Sequence, residues 1–154
     1  MRLARLAAVS LALAVAGTAA GATAVLGAKP ATERSGRVVD TFPDDFILEL
    51  CGIETMTTVT EHWTLTTYED GSQRLWTSRM FVSDDPRLPI EQGAGMSYWD
   101  ADGVQTVHGS PIRLRRPGQG IILLDAGRVV FSDPPVIRGP HPSLAMDLAD
   151  AYCP

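Results

Sequence analysis

TTVTEHWTLTTYEDGSQRLWTSRMFVS, Thr57 to Ser83, is the stretch that decides the fold. Two runs rich in Thr, Val, Trp and Phe flank Asp70-Gly71, and such a pair between β-prone runs is a strong short-range signal for a β-hairpin. A two-residue turn at Asp70-Gly71 sets Leu65 opposite Trp76, Trp63 opposite Ser78, Glu61 opposite Met80 and Val59 opposite Val82. Side chains alternate between the faces of a strand, so these residues form one mostly apolar face, while His62, Arg79 and the threonines form a polar one. A three-residue turn, Glu69-Asp70-Gly71, with type I geometry and a bulged glycine would instead set Glu61 opposite Arg79 and Leu65 opposite Leu75. That register strands Trp76, Met80 and Val82 among the threonines. The first groups more large apolar side chains and is the expected one, with Glu61 left beside Trp63 and Met80. A carboxylate buried in such surroundings is the kind found at acid/base sites; the plainer reading is a strand-end glutamate that reaches solvent.

Before the hairpin lie three segments of different composition. Met1 to Arg5 is a short basic head, and Leu6 to Ala16 (LAAVSLALAVA) is an apolar run of the length of a secretory h-region, followed by small residues. Residues 1–28 are therefore expected to be a signal peptide with its cleavage region, cut after Ala20 or Ala24. The alternative is an uncleaved membrane anchor, because no charge occurs from Leu6 to Ala28. Lys29 to Asp45 (KPATERSGRVVDTFPDD) carries proline and charge with little periodicity, and is expected to be a flexible linker. Residues 46–154 are then a single β domain, since roughly 110 residues support one modest core and not two.

Charge and composition narrow the partners. The chain of 154 residues has a formal net charge of −5, and removing Arg2 and Arg5 leaves 11 basic against 18 acidic side chains. A generic nucleic-acid binder is basic, so nucleic acid is not expected as a partner. Ile112-Arg113-Leu114-Arg115-Arg116 alternates like an outward strand face; an anion-binding stripe is the other reading of the same residues. Asparagine is absent, so there is no glycosylation sequon. One lysine beside 12 arginines suggests a GC-rich bacterial genome.

Further along, Gly95 to Trp99 and Val104 to His108 flank Asp100-Ala101-Asp102-Gly103, a second hairpin with Gly103 as the bulged residue. Asp100 and Asp102 share the first spacing of a calcium loop, but the later ligands of that motif do not follow, so a turn is expected. Gly120 to Asp125 and Arg128 to Ser132, joined by Ala126-Gly127, read as a third hairpin. Both strands are continuously apolar, as strands buried mid-sheet are. Asp133 to Pro142 is a Pro-rich connection. Leu144, Leu148, Ala151 and Tyr152 then recur at helical spacing behind Ser143, an apparent N-cap, which predicts a short helix over 143–152. The expected fold is mainly β: an antiparallel meander of about seven strands, beginning with Phe46 to Leu50, rolled into a small barrel or half-barrel with that C-terminal helix.

The two cysteines, Cys51 and Cys153, have no CxxC or Cys-His spacing and are expected to form a disulfide in an exported chain. Such a bridge closes a loop of about 100 residues, for which loop entropy predicts about 4 to 5 kcal/mol of stabilisation.

Catalytic motifs are missing. There is no GxSxG, P-loop, GxGxxG, HExxH or HxH, so neither a cofactor nor a metal site is expected. The carboxylate pairs Asp44-Asp45 and Asp84-Asp85 are adjacent in sequence and read as solvated loop charge. The candidate ligand-binding residues are Glu61, His62, Trp63, Arg79 and His108, with His62 also readable as an ordinary surface imidazole.

A basic head with an apolar run, Cys51-Gly52 opening the domain, DG hairpins and the closing Tyr152-Cys153-Pro154 together resemble small secreted β-sheet proteins of actinobacteria. The resemblance covers most of the mature chain and implies an exported sheet, with no activity attached. Three functions follow as expectations. The first is a secreted, non-enzymatic binding module for a small apolar molecule or a surface partner. The second is an extracellular hydrolase using Glu61 with His62 or His108, which requires at least two of these to converge. The third is a protein-interaction or inhibitor protein presenting the Pro-rich segment. A membrane is expected as a partner only if the N-terminal segment stays uncleaved.

Overall fold

In the computed structural model, which describes residues 29–154, the hairpin adopts the three-residue turn. The Gly71 N–H donates to the Tyr68 carbonyl at 3.0 Å and the Tyr68 N–H donates to the Ser72 carbonyl at 2.9 Å. Gly71 has φ +84°, and Asp70 Oδ1 accepts from both the Ser72 N–H at 3.0 Å and the Ser72 hydroxyl at 2.7 Å. Glu61 therefore faces Arg79 and Leu65 faces Leu75, which overturns the expected register by one residue. Local turn chemistry explains the outcome. Either two-residue turn, type I′ or II′, needs positive φ at Asp70, and no residue other than glycine has positive φ among the described residues. Trp76, Met80 and Val82 consequently fall on the Thr-rich face, where Trp76 remains 45% exposed.

The segment expected as a linker is instead β1 (Pro30–Pro43), paired along its length with β2 (Met56–Tyr68). Its polar composition misled because β1 is an edge strand. Charges and terminal prolines are how an exposed edge is kept from pairing with other chains. The segment expected as the first strand is α1 (Asp45–Cys51). Asp44 caps it by accepting from the Ile47 N–H at 3.1 Å, and Gly52, at φ +69°, closes it by donating to the Leu48 carbonyl at 2.9 Å.

After β2, the meander continues through β3 (Gln73–Ser83), β4 (Ile90–Trp99) and β5 (Gln105–Arg116). The second hairpin forms as expected, with Gly103 at φ +83° and Trp99 opposite Gln105. The third does not. β6 (Gly120–Leu124) and β7 (Gly127–Val130) both pair with β5, β6 at Arg113 to Arg116 and β7 at Thr106 to Gly109. They behave as one strand kinked at Asp125, whose N–H donates to the Ile112 carbonyl at 2.8 Å. β6 is not mid-sheet: Ile121 and Leu124 are exposed, while Leu114 and Leu123 point to the core. β8 (Val136–Arg138) completes an eight-stranded antiparallel sheet from within the Pro-rich segment. The sheet is open, with β1 at one edge and β8 at the other, so it is a half-barrel.

Glycines set the curvature. Gly95, Gly109 and Gly127 are register partners across β4, β5 and β7. A Cβ at Gly95 would lie 2.7 Å from the His108 carbonyl oxygen, and one at Gly109 would lie 2.4 Å from that of Ala94. The inner surface is too tightly bent there for side chains.

The core sits at one end of this inner surface. Ile47 of α1, Leu88, Leu114, Leu123, and Ala151 and Tyr152 of α2 (Leu148–Tyr152) are buried together. The Phe46 and Tyr152 rings meet edge to face at 5.2 Å. The Tyr152 hydroxyl donates to Glu91 Oε2 at 2.6 Å, tying α2 to β4. The Cys51–Cys153 disulfide joins the end of α1 to the residue after α2, so it links two helices rather than a strand and a helix. The C-terminal helix is shorter than predicted: a 3-10 turn spans Pro142–Leu144, and Asp147, not Ser143, caps α2. Ser143 bonds instead to Asp125.

Candidate functional site

Strand alternation and the register assign each expected site residue to a face. The inner face carries Glu61, Trp63 and Arg79. Trp63 lies across Gly36 of β1, where an added Cβ would come within 2.8 Å of the indole. His62 lies on the outer face between Arg37 and Ser78, and His108 lies on the outer face between Met96 and Arg128. The structure thus sets Glu61 and Arg79 opposite each other across β2 and β3 on the face of Trp63, and separates both histidines from them by the thickness of the sheet. His62 and His108 are themselves three strands apart, about 14 Å at normal strand spacing. The convergence that the hydrolase reading required does not occur. The rationale for Glu61 also goes, because its neighbour is a guanidinium and not Met80.

A cluster that matches no sequence motif lies at the β6–β7 kink. Asp125 is buried and accepts from the Ser143 N–H at 3.1 Å and from the Ser143 hydroxyl. His141 Nδ1 stands 4.0 Å from Asp125 Oδ2, and its Nε2 is 3.4 Å from the Arg138 carbonyl. These are the residue types of a hydrolase triad, and the arrangement is wrong for one. A nucleophilic serine must bond the imidazole, with the carboxylate behind it. Here the serine hydroxyl bonds the carboxylate directly, and the imidazole is turned toward a backbone carbonyl. The cluster is a clamp that holds the end of the Pro-rich segment against the sheet. No spacing signal could have revealed it, since the 15 residues between Asp125 and His141 pass through β7 and β8.

Asp44, Asp84 and Asp85, expected as solvated loop charge, are likewise structural. An open depression of about 420 Å³ is lined by Asp44, Asp45, Leu48, Glu54, Met56 and Asp84. Asp44 caps α1 and accepts from the Thr57 hydroxyl at 2.6 Å. Asp84 accepts from the Thr55 hydroxyl and from the Met56 N–H, and these hydrogen bonds hold its carboxyl below the usual carboxylate range. Asp85, in a forked pair with Arg87 at 2.6 Å, is lowered to about 2 by that guanidinium. A second depression, against Ile47, Phe81 and Tyr152, has about 20 Å³, room for a single water molecule. Neither depression encloses an apolar ligand, and no group of three or more His, Cys, Asp or Glu among the described residues is placed to hold a metal ion.

Charge on the strands is segregated by face. Arg37, Arg74, Arg113, Arg115, Arg128 and Arg138 all fall on the outer face with His62 and His108. The acidic strand residue of that face is Glu33, which accepts from the Thr66 hydroxyl at 3.3 Å. Asp40, Glu61 and Glu91 are on the inner face with two arginines, Arg34 and Arg79. Arg116, the third arginine of the IRLRRP stretch, is spent on structure: it donates to the Ala151 and Cys153 carbonyls at the end of α2. Val39, Met80 and Val82 stand among the outer arginines with Trp76, and Val39 is 56% exposed.

No family model, curated protein or solved structure matches the chain.

Proposed function

We propose that this protein is an exported, non-enzymatic binding module that engages a surface partner through the outer face of its sheet. The observation that carries this reading is the company kept by Trp76. A large aromatic side chain, with Met80, Val82 and Val39, stands exposed on a face whose strands bear six arginines and one glutamate. Apolar side chains left in water beside unpaired charge are unfavourable for the isolated chain and are recovered when a partner covers them. The disulfide is consistent with an oxidising compartment, and no helix among the described residues is long and apolar enough to cross a membrane. The small-apolar-ligand version has less support, since the two depressions described among residues 29–154 are an open one and one with room for a single water molecule.

The test is sedimentation of the exported protein with washed cell envelopes of the organism that produces it. Trp76→Ser and Arg128→Gln are expected to lower the bound fraction, while Glu61→Gln on the inner face leaves it unchanged. Equal binding by all three would refute the assignment of the working surface.

A second reading keeps the Pro-rich segment Asp133 to Pro142 as an inhibitor-type loop, favoured by the exposure of every residue from Asp133 to Pro140. It predicts a complex with an extracellular enzyme that Ile137→Ala abolishes and Trp76→Ser on the outer face leaves intact.

A further inference from the structure

We infer that the surface engaged by the outer face is an anionic lipid bilayer, an inference that rests on the outer-face reading above. One row of register partners crosses the outer face. Trp76, Met96, His108, Arg128 and Arg138 follow one another across β3, β4, β5, β7 and β8. Arg128 is directly opposite Arg138, and His108 is directly opposite Arg128. The Cβ atoms of directly opposed residues sit about 5 Å apart, so the two like charges of Arg128 and Arg138 disfavour the sheet that holds them. No ion pair among the described residues offsets it: those pairs are Arg87 with Asp85 and His141 with Asp125, while on this face Arg113 donates to the neutral Gln92 side chain and Arg74 lies over the Tyr68 ring. An external anion relieves the repulsion.

Two further features select a bilayer over a soluble polyanion. The arginines are spread in two dimensions, from Arg37 on one edge strand to Arg138 on the other and from Arg74 near the hairpin turn to Arg115 near the core end. At about 4.8 Å per strand that is an arc of some 30 Å around the convex face, broader than a single linear chain covers. The apolar members, Trp76, Met80, Val82, Val39, Ile121 and Leu124, are interspersed with the arginines. A polyanion chain gains little from them, whereas the headgroup–acyl boundary accepts both, with tryptophan as its preferred aromatic. This contact is peripheral and does not depend on whether residues 1–28 are cleaved.

The experiment is co-sedimentation of the exported protein with vesicles of phosphatidylcholine alone or mixed with phosphatidylglycerol, together with quenching of tryptophan fluorescence by brominated acyl chains. All variants carry the same N terminus, so differences between them belong to the outer face. Binding is expected only with phosphatidylglycerol present, and is expected to disappear in about 1 M salt, where the Debye length is about 3 Å. Each arginine near the surface is worth about fivefold in partition, so Arg128→Gln/Arg138→Gln is expected to weaken binding by at least tenfold. Bromolipid quenching should be present in the wild type and largely lost in Trp76→Phe. Both variants are at exposed positions, and an unchanged urea midpoint confirms that they fold. Equal partition into both vesicle types, or wild-type affinity in the double arginine variant, overturns the lipid assignment. So does retention on soluble polyphosphate without vesicle binding. If vesicles fail while envelope sedimentation still depends on Trp76 and Arg128, the lipid inference falls and the outer-face reading stands.

Discussion

Replacing Asp44 by alanine should be the most informative single change to this fold. The carboxylate is buried between α1 and β2. One oxygen accepts from the Ile47 N–H at 3.1 Å and the other from the Thr57 hydroxyl at 2.6 Å, and both donors belong to residues that are themselves buried. Loss of an N-cap costs about 1 kcal/mol. A hydrogen bond to a charged acceptor contributes about 1.5 to 3 kcal/mol, and the Thr57 hydroxyl would be left without this partner. Together these give about 3 kcal/mol, a large fraction of the roughly 5 to 15 kcal/mol that holds a domain together. Asp44→Asn is the control, because asparagine caps equally well and its amide can donate to the Thr57 hydroxyl, so the loss should fall to about 1 kcal/mol. Thr57→Val should cost less than Asp44→Ala, and the double variant should show coupling, since the two side chains touch. The assay is urea unfolding with the disulfide intact; at a slope near 1.5 kcal/mol per molar, Asp44→Ala should lower the midpoint by about 2 M with the slope unchanged. An Asp44→Ala midpoint within about 0.3 M of wild type, or an asparagine variant as damaged as the alanine one, would refute the assignment of α1 and its cap.

Three other outcomes are expected. Leu114, fully buried where α1 and α2 meet the sheet, should lose about 3 kcal/mol as Leu114→Ala, read as a lower thermal midpoint; a change below about 1 kcal/mol would mean that the core is not centred there. Cys51→Ala/Cys153→Ala opens a loop of 102 residues and should cost about 4 to 5 kcal/mol, measured by urea unfolding against the oxidised wild type. Acid should destabilise the fold in a particular window. The carboxyls of Asp70, Asp84 and Asp85 are all held below the usual range by hydrogen bonds, to Ser72, Thr55 and Arg87 respectively. Stability from groups depressed in the folded state is complete above about pH 4 and is lost as the pH falls toward about 2, the value for Asp85. Replacing Asp70, Asp84 and Asp85 together by asparagine should flatten the circular-dichroism stability profile between those limits, and an unchanged slope would count against these partners.

Turn chemistry, strand alternation and the cysteine count by themselves determined that the chain is an antiparallel sheet, where two of its turns lie, and that Cys51 bonds to Cys153. These signals are local, or, for two cysteines, leave only one pairing. Helix α1 was also legible, in Asp44 before the apolar run and Gly52 after it, but the run is short enough to pass for a strand. What only the tertiary structure decided is which face each residue shows. The choice between two turns at Asp70-Gly71 moves Trp76, Met80 and Val82 from the core side to the solvent side and sets Arg79 against Glu61. Grouping apolar residues gave the wrong answer because the turn's own hydrogen bonds and the glycine at positive φ outweigh the burial of three side chains on a sheet that has helices at one end of one face only. The edge strand β1 and the charge segregation were hidden for a related reason. Polar residues on an exposed edge read as linker, and arginines scattered from Arg37 to Arg138 become neighbours only when the strands are laid side by side.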